Sequence, residues 1–302
     1  MRLFDRIVMV DWSAAAVPTL GRDSIWVSAA AVAGGPSREV NHPTRHAAME
    51  ALRGAIRATL KAGERMLIGF DFAFGYPRGT IRPLGGGWRD LWRWLARELR
   101  DDEDNANDRF AVAARFNALF SGEGPLWGRP ARARVPGVEP TRPARFPDGL
   151  RERRLVEDIV PRAQPTFKLA YPGSVGSQAL TGIARLERLR REPGLAPHLA
   201  VWPFETGFAR DLAAPVTLAE IFPSLHPVVP RGDEVRDSAQ VRTLATGYAA
   251  LDRACALRDH LAGPGDPTAR ETALREEGWI VSVGDAPMPL GGAWAPNAGA
   301  AS

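Results

Sequence analysis

Residues 66–79, MLIGFDFAFGYPRG, constrain this chain more than any other stretch. A short apolar run, Met66 to Phe70, is followed at once by a carboxylate, Asp71. An aromatic-glycine-proline turn, Phe74-Gly75-Tyr76-Pro77, then stops it. An apolar run of that length between such bounds reads as a strand inside a sheet. Aspartate is disfavoured at a strand centre and costly to bury without a partner, so Asp71 belongs at the strand's carboxyl end. That is where open α/β sheets bind ligands. The first strand repeats the design: Ile7-Val8-Met9-Val10 leads into Asp11-Trp12-Ser13. Two core strands ending in aspartate predict two carboxylates side by side at one sheet edge.

The flanking sequence fills in the order of elements. Residues 24–32, SIWVSAAAV, read as a second strand and residues 38–41 as a short third, which predicts an antiparallel meander. Thr44 is placed to cap a helix in which Ala48, Leu52, Ala55, Ile56 and Leu60 recur at helical spacing, with Gly63 as its stop. The strand carrying Asp71 follows, giving β-β-β-α-β. Further helices are predicted over residues 88–100, 105–120, 178–191 and 237–261. Strands are predicted over 199–204, 216–222 and 277–283. Residues 121–166 are rich in Pro, Gly and Arg, have weak periodicity, and read as a long surface excursion. The Gly/Ala/Pro-rich end, residues 286–302, reads as a loose tail. One domain over 1–285, with an inserted region at about 79–166, is the expected organisation.

Composition bounds the class of molecule. The chain has 302 residues, 45% of them apolar, which is enough for a sizeable core. Of 39 basic residues 37 are arginine, so the net charge of only +4 accompanies a pI of about 9.8. That balance permits a nucleic-acid partner without requiring one. The single Cys255 excludes an internal disulfide and a thiolate-rich metal site within one chain. No apolar run is long enough for a membrane span, and Asp5 and Arg6 interrupt the first one, so the expectation is a cytoplasmic protein with no membrane partner.

The chemistry-bearing candidates are carboxylates: Asp11, Asp71, Glu205, Glu220 and Asp252. Glu220 lies in LAEIFP and Glu205 in VWPFETG, both apolar strands stopped near proline. On a helical wheel Ala245, Tyr248, Ala249, Cys255 and Ala256 fall within about 60° of Asp252, so that acid faces inward and needs a cation, an arginine or a metal. Asp237, in DSAQ, reads instead as a helix cap. The acidic run 101–104 reads as a solvated helix end, since it lacks calcium-loop spacing. His226, between Pro223 and Pro227, reads as a turn residue. Gly173-Ser174-Val175-Gly176-Ser177-Gln178 precedes a helix and suits either a phosphate or a tight packing turn; it is not a Walker A loop. Asn105 and Arg109 offer further polar groups, with Asn107 read as a helix cap.

Taken in order, these motifs resemble the predicted ribonuclease H-like nucleases of the DUF429 type. The resemblance rests on Val10-Asp11-Trp12-Ser13, on residues 69–77 around Asp71, on Ser177-Gln178, on Ala219-Glu220-Ile221-Phe222-Pro223, and on residues 250–257 around Asp252. It covers roughly residues 7–283 and is poor over 79–166. One departure is Ala249, where members of the family often carry a second helix aspartate. The resemblance implies an α/β fold: a ribonuclease H-like mixed sheet of five or more strands, order 3-2-1-4-5, flanked by helices, with a large insertion after the fourth strand. It implies that Asp11, Asp71, Glu220 and Asp252 converge as catalytic, metal-holding residues, with Glu205 in reserve. Carboxylates so crowded would hold Mg²⁺ or Mn²⁺ for phosphodiester hydrolysis of nucleic acid. Ser13, Lys168, Ser174, Ser177, Gln178, Asn105 and Arg109 are the candidates for holding substrate. Two other functions share such a core: a sugar-kinase or actin-type phosphotransferase, disfavoured because Trp12-Ser13-Ala14-Ala15 lacks the glycine turn, and a non-catalytic scaffold.

Overall fold

The computed structural model describes residues 1–160, 162–171 and 173–290. Among these, six strands form one mixed sheet: β1 (Arg6–Asp11), β2 (Ile25–Ala31), β3 (Arg38–His42), β4 (Met66–Phe70), β5 (Leu199–Val201) and β6 (Val216–Glu220), in the order β3-β2-β1-β4-β6-β5. β1, β2 and β3 are the predicted antiparallel meander. β4 pairs parallel with β1, β6 parallel with β4, and β5 parallel with β6. The short β5 therefore sits at the edge, outside β6, although it precedes β6 in the chain.

Register decides which side chains share a face. Val10 pairs with Phe70 and Phe70 with Glu220, so these three point to one side. On that side the sheet packs against α1 (Arg45–Lys61), α2 (Trp88–Glu98), α3 (Arg109–Asn117) and α5 (Gly176–Arg190). Their apolar stripes, such as Ala48, Met49, Leu52 and Ile56 of α1, supply the larger core. Ile7, Met9, Leu67, Ala219 and Ile221 point the other way, toward Val241, Leu244, Ala245 and Tyr248 of α6 (Arg236–Arg253). By the same alternation Asp11 lies on the α6 side.

Local chemistry sets the boundaries. Thr44 caps α1 as expected, its hydroxyl oxygen accepting from the Ala47 N–H at 3.1 Å. The helix expected over 105–120 begins only at Arg109, because Asn105 is buried in the left-handed region (φ 73°) and its Oδ1 takes the Arg45 N–H at 2.8 Å. The long helix predicted over 237–261 breaks after α6 at Cys255 (φ 61°) and resumes as α7 (Leu257–His260). The strand predicted over 277–283 does not form. A π-helical turn, Ala273–Glu277, occupies its start, and Ile280 makes a single bridge to Glu220 before Ser282 turns with φ 69°. That turn crosses β4's outgoing loop so closely that a Cβ on Gly75 would lie 2.1 Å from the Glu276 carbonyl oxygen.

Residues 121–166 are not simply a surface excursion. They carry α4 (Leu155–Ile159), and Val156, Val160 and Ala163 enter the core on the α6 side. In the acidic run residues 102–104 are exposed as expected, and Asp101 is the exception. Its side chain is fully buried between Arg45 and Arg185, with Nη2–Oδ1 2.5 Å and Nε–Oδ2 2.6 Å. The expected loose tail falls mostly on residues 291–302, outside the described residues; of its described part, Leu290 is buried.

Candidate active site

β1 and β4 are adjacent and parallel, so their final residues lie at the same end of the sheet. Asp11 ends β1, and Asp71 follows β4, its N–H donating to the Val10 carbonyl at 3.0 Å. A row of aromatic rings underlies this end on the opposite face: Trp12 against Phe72 at 5.7 Å, Phe72 against Phe74 at 5.4 Å, Phe74 against Trp92 at 5.6 Å. The indole N–H groups are satisfied by Thr181 and the Phe74 carbonyl, which fixes the ring positions. The two aspartates are thus held on a rigid apolar floor.

A third carboxylate joins them from α6. Asp237 lies in the first turn of that helix, and its Oδ2 accepts from the Asp23 N–H at 2.8 Å. The helix-cap reading of Asp237 fails: Val235 is the N-cap and no side chain caps the helix. Burial raises the pKa of Asp11 well above the usual carboxylate range, and the charges of Asp71, Asp237 and Asp23 raise it further. Asp71 is pushed up to about 7, by burial first and then by Glu220 and Asp237. The groups behave as one repelling cluster. Asp71, Asp23 and Asp237 line an open cleft of about 1030 Å³, to which Arg22, Arg236 and Ser224 also contribute.

Glu220 is close by but committed elsewhere. Its register partner is Phe70, so it projects on the face opposite Asp11. There it is buried against Arg154, with Nη2–Oε1 2.6 Å and Nη1–Oε2 2.8 Å, and it also accepts the Phe74 N–H at 2.9 Å. Arg154 itself is 2% exposed and reaches Glu157 Oε1 and the Glu277 carbonyl as well. Burial alone would depress its pKa; Glu220 and Glu157 outweigh that and keep the guanidinium charged. Glu277 accepts from the Arg78 and Leu155 N–H groups. Glu220 is therefore one pole of a buried ion-pair network, with both its oxygens engaged.

Asp252 does not reach the cluster. Its two oxygens accept the Leu3 and Phe4 N–H groups, each at 2.8 Å, just before β1 begins. Asp11 ends the same strand, so the two acids are separated by about 20 Å of extended chain. The inward orientation read from the helix was right, since Asp252 is 1% exposed, but its partner is backbone. Glu205 is also remote: Arg89, Arg190 and the Val201 N–H hold it beside the edge strand β5.

The candidate substrate-holding residues divide similarly. Asn105 is structural, as its contacts above show, and also donates to the Val17 and Pro43 carbonyls. Ser13 Oγ bonds the Asp23 carbonyl and the Ala15 N–H within a turn next to Asp11. Ser177 Oγ donates to the Leu169 carbonyl and accepts from Arg109 Nε, which ties α5 to α3. Arg109 also binds Asn107 and lies over the Phe110 ring; burial and the Arg45 charge lower its pKa to about 10. The Asn107 cap does not form, since Asp108 occupies the N-cap position. Gln178 Nε2 donates to the Trp12 carbonyl, one residue past Asp11. Ser174 sits in the turn after Tyr171, beside Gly173, which lines the cleft. Lys168 is paired by its carbonyl to the Gly176 N–H, making 173–178 a packing turn: a Cβ on Gly176 would lie 2.4 Å from the Thr166 carbonyl oxygen.

Among the described residues no group of three or more His, Cys, Asp or Glu side chains is placed to hold a metal ion. The expected four-carboxylate centre is thus not assembled; the pair Asp11 and Asp71, faced by Asp237, is what the fold brings together. Sequence reasoning missed Asp237, Arg154 and Arg236. No local signal marks Asp237, because which acid of α6 reaches the cleft depends on the direction in which the helix lies along β1. Compared with known protein families, curated proteins and solved structures, the chain gives no match.

Proposed function

We propose that this chain is a metal-dependent hydrolase of phosphodiester bonds in nucleic acid, on a ribonuclease H-like fold. The observation that carries the reading is the placing of Asp11 and Asp71 at the same end of two adjacent parallel strands. The strand order β3-β2-β1-β4-β6 supports it, since it is the order that the resemblance implies, with β5 added at the edge. Asp237 takes the place that the reading gave to Asp252.

The donor set suits a hard divalent cation. All the groups are carboxylate oxygens, and their mutual repulsion calls for positive charge. Mg²⁺ commonly takes only one or two carboxylates and completes its shell with water and substrate phosphate. Asp11 and Asp71 would hold Mg²⁺ or Mn²⁺ in that manner. Bound there, the cation supplies positive charge against the phosphoryl oxygens. Asp237, across the cleft, orients the attacking water. Arg22 and Arg236 at the rim draw in the polyanion. In the excursion Arg132, Arg134 and Arg145 are exposed and form no ion pair among the described residues, and they extend the positive surface. Arg129 and Arg142 do not serve: Arg129 holds the Val138 and Ala133 carbonyls and Arg142 pairs with Glu152.

The test is Mn²⁺ titration of wild type and Asp11→Asn, read by thermal melting and by hydrolysis of single- and double-stranded DNA and RNA. Wild type is expected to gain melting temperature and activity, and Asp11→Asn neither. If Mn²⁺ raises neither in wild type, the scaffold reading replaces this one; the lack of a ready three-ligand centre is the observation in its favour.

A further inference from the structure

A second cavity, of about 510 Å³, adjoins the carboxylate cleft and shares Ser224, Arg236 and Gln240 with it. Its chemistry is of the opposite sign. Arg162 and Arg236 line it, both exposed and neither engaged in an ion pair among the described residues. The amino end of the 18-residue α6 opens beside it with no side-chain cap, so its first N–H groups lack the usual acceptor.

The observation that points to a ligand is His226, which lines the same cavity. It is 6% exposed, yet neither ring nitrogen has a hydrogen-bond partner. A buried imidazole with both nitrogens idle is costly unless something else completes it. The ring is held edge-to-face on Tyr248, at 6.2 Å, and the Tyr248 hydroxyl and His260 Nδ1 both bond Ser282 Oγ. Among the described residues none bonds either ring nitrogen of His226.

We infer that this cavity is a phosphate subsite, in which Arg236, Arg162, His226 and the α6 amino terminus take a backbone phosphate of the substrate next to the one cleaved. Guanidinium forks and helix amides are the groups that recognise a tetrahedral oxyanion. An imidazole N–H donating to it would meet the unmatched hydrogen-bonding need. The carboxylates of the cleft repel a phosphate, so a cationic subsite beside them sets where the chain lies and which bond falls over Asp11 and Asp71. Naming the phosphate as one of a nucleic-acid backbone rests on the proposed function; the affinity of the cavity for phosphate does not.

The test is titration of inorganic phosphate into the metal-free full chain, followed by NMR of the His226 ring, assigned through its loss in His226→Gln. A saturable shift is expected, with binding weakened about tenfold in Arg236→Gln. Circular dichroism checks that this variant folds, and Arg162→Gln provides a second one. A short oligonucleotide without terminal phosphates, DNA or RNA, should displace the phosphate. No saturable shift in wild type, or undiminished affinity in both arginine variants, overturns the site. Phosphate that neither oligonucleotide displaces overturns its assignment to a substrate backbone. Asp11→Asn should bind phosphate at least as tightly as wild type, so failure of the subsite and failure of the hydrolase reading are told apart.

Discussion

At the scale of single residues, Asp71 is held against its own charge by burial and by the neighbouring carboxylates. Its pKa, about 7 in the folded protein against 3.8 for a free side chain, means that the folded state holds the proton more tightly than the unfolded chain does. That contribution to stability is complete below about pH 4 and is lost as pH rises through about 7. Asp71→Asn removes the penalty of the buried charge. It should leave stability near pH 4 unchanged and raise it at pH 8 by on the order of 2 kcal/mol, after allowance for the partial exposure of the side chain. Urea unfolding at the two pH values measures this. A variant that is equally stabilised at both pH values would locate the effect in packing rather than charge. Saturating Mn²⁺ should erase the wild-type deficit at pH 8 but add nothing to Asp71→Asn.

At the scale of elements, the sheet was the legible part and its decoration was not. Residues 66–70 are the fourth strand as read, and Thr44 caps the helix before it, because apolar runs and caps are local signals. Glu220 was legible as a strand-end acid, but its role depends on register: pairing with Phe70 turns it away from Asp11. No local pattern marks Arg154 as the arginine, among 37, that is buried 66 residues earlier against it. The network makes α4 an anchor that ties the Arg-rich segment to β6 and to the π-helical turn. Arg154→Met leaves Glu220 and Glu157 buried without a countercharge and should cost about 3–5 kcal/mol. Adding Glu220→Gln should recover part of that loss, because one unpaired charge is gone. Denaturant unfolding of the single and double variants decides it; no loss in Arg154→Met would mean that α4 is held by its apolar contacts alone.

At the scale of the whole molecule, α6 runs antiparallel to β1 and links two ends with different tasks. Its first turn brings Asp237 to the carboxyl end of the sheet, beside Asp11 and Asp71. Its last turn brings Asp252 to the amino end, where it ties down residues 3 and 4. The helical pattern showed that Asp252 faces inward, but not which way the helix lies along the strand, and that direction decides which acid reaches the cleft. Paired variants separate the two ends. Asn at 252 keeps one acceptor and turns an NH₂ toward the other backbone N–H, so Asp252→Asn should cost about 1–3 kcal/mol of stability. Its stabilisation by Mn²⁺ should match that of wild type. Asp237→Asn keeps an acceptor for the Asp23 N–H and relieves repulsion with Asp11 and Asp71, so its metal-free stability should not fall. Its stabilisation by Mn²⁺ and its hydrolytic activity should both drop, because the acid facing the bound ion is gone. The measurement is melting temperature against Mn²⁺ concentration for the three proteins at pH 8, with hydrolysis read in parallel. If Asp252→Asn, still folded, loses the Mn²⁺ response while Asp237→Asn keeps it, the metal lies at the amino end of the sheet and the cleft described here is not the active site.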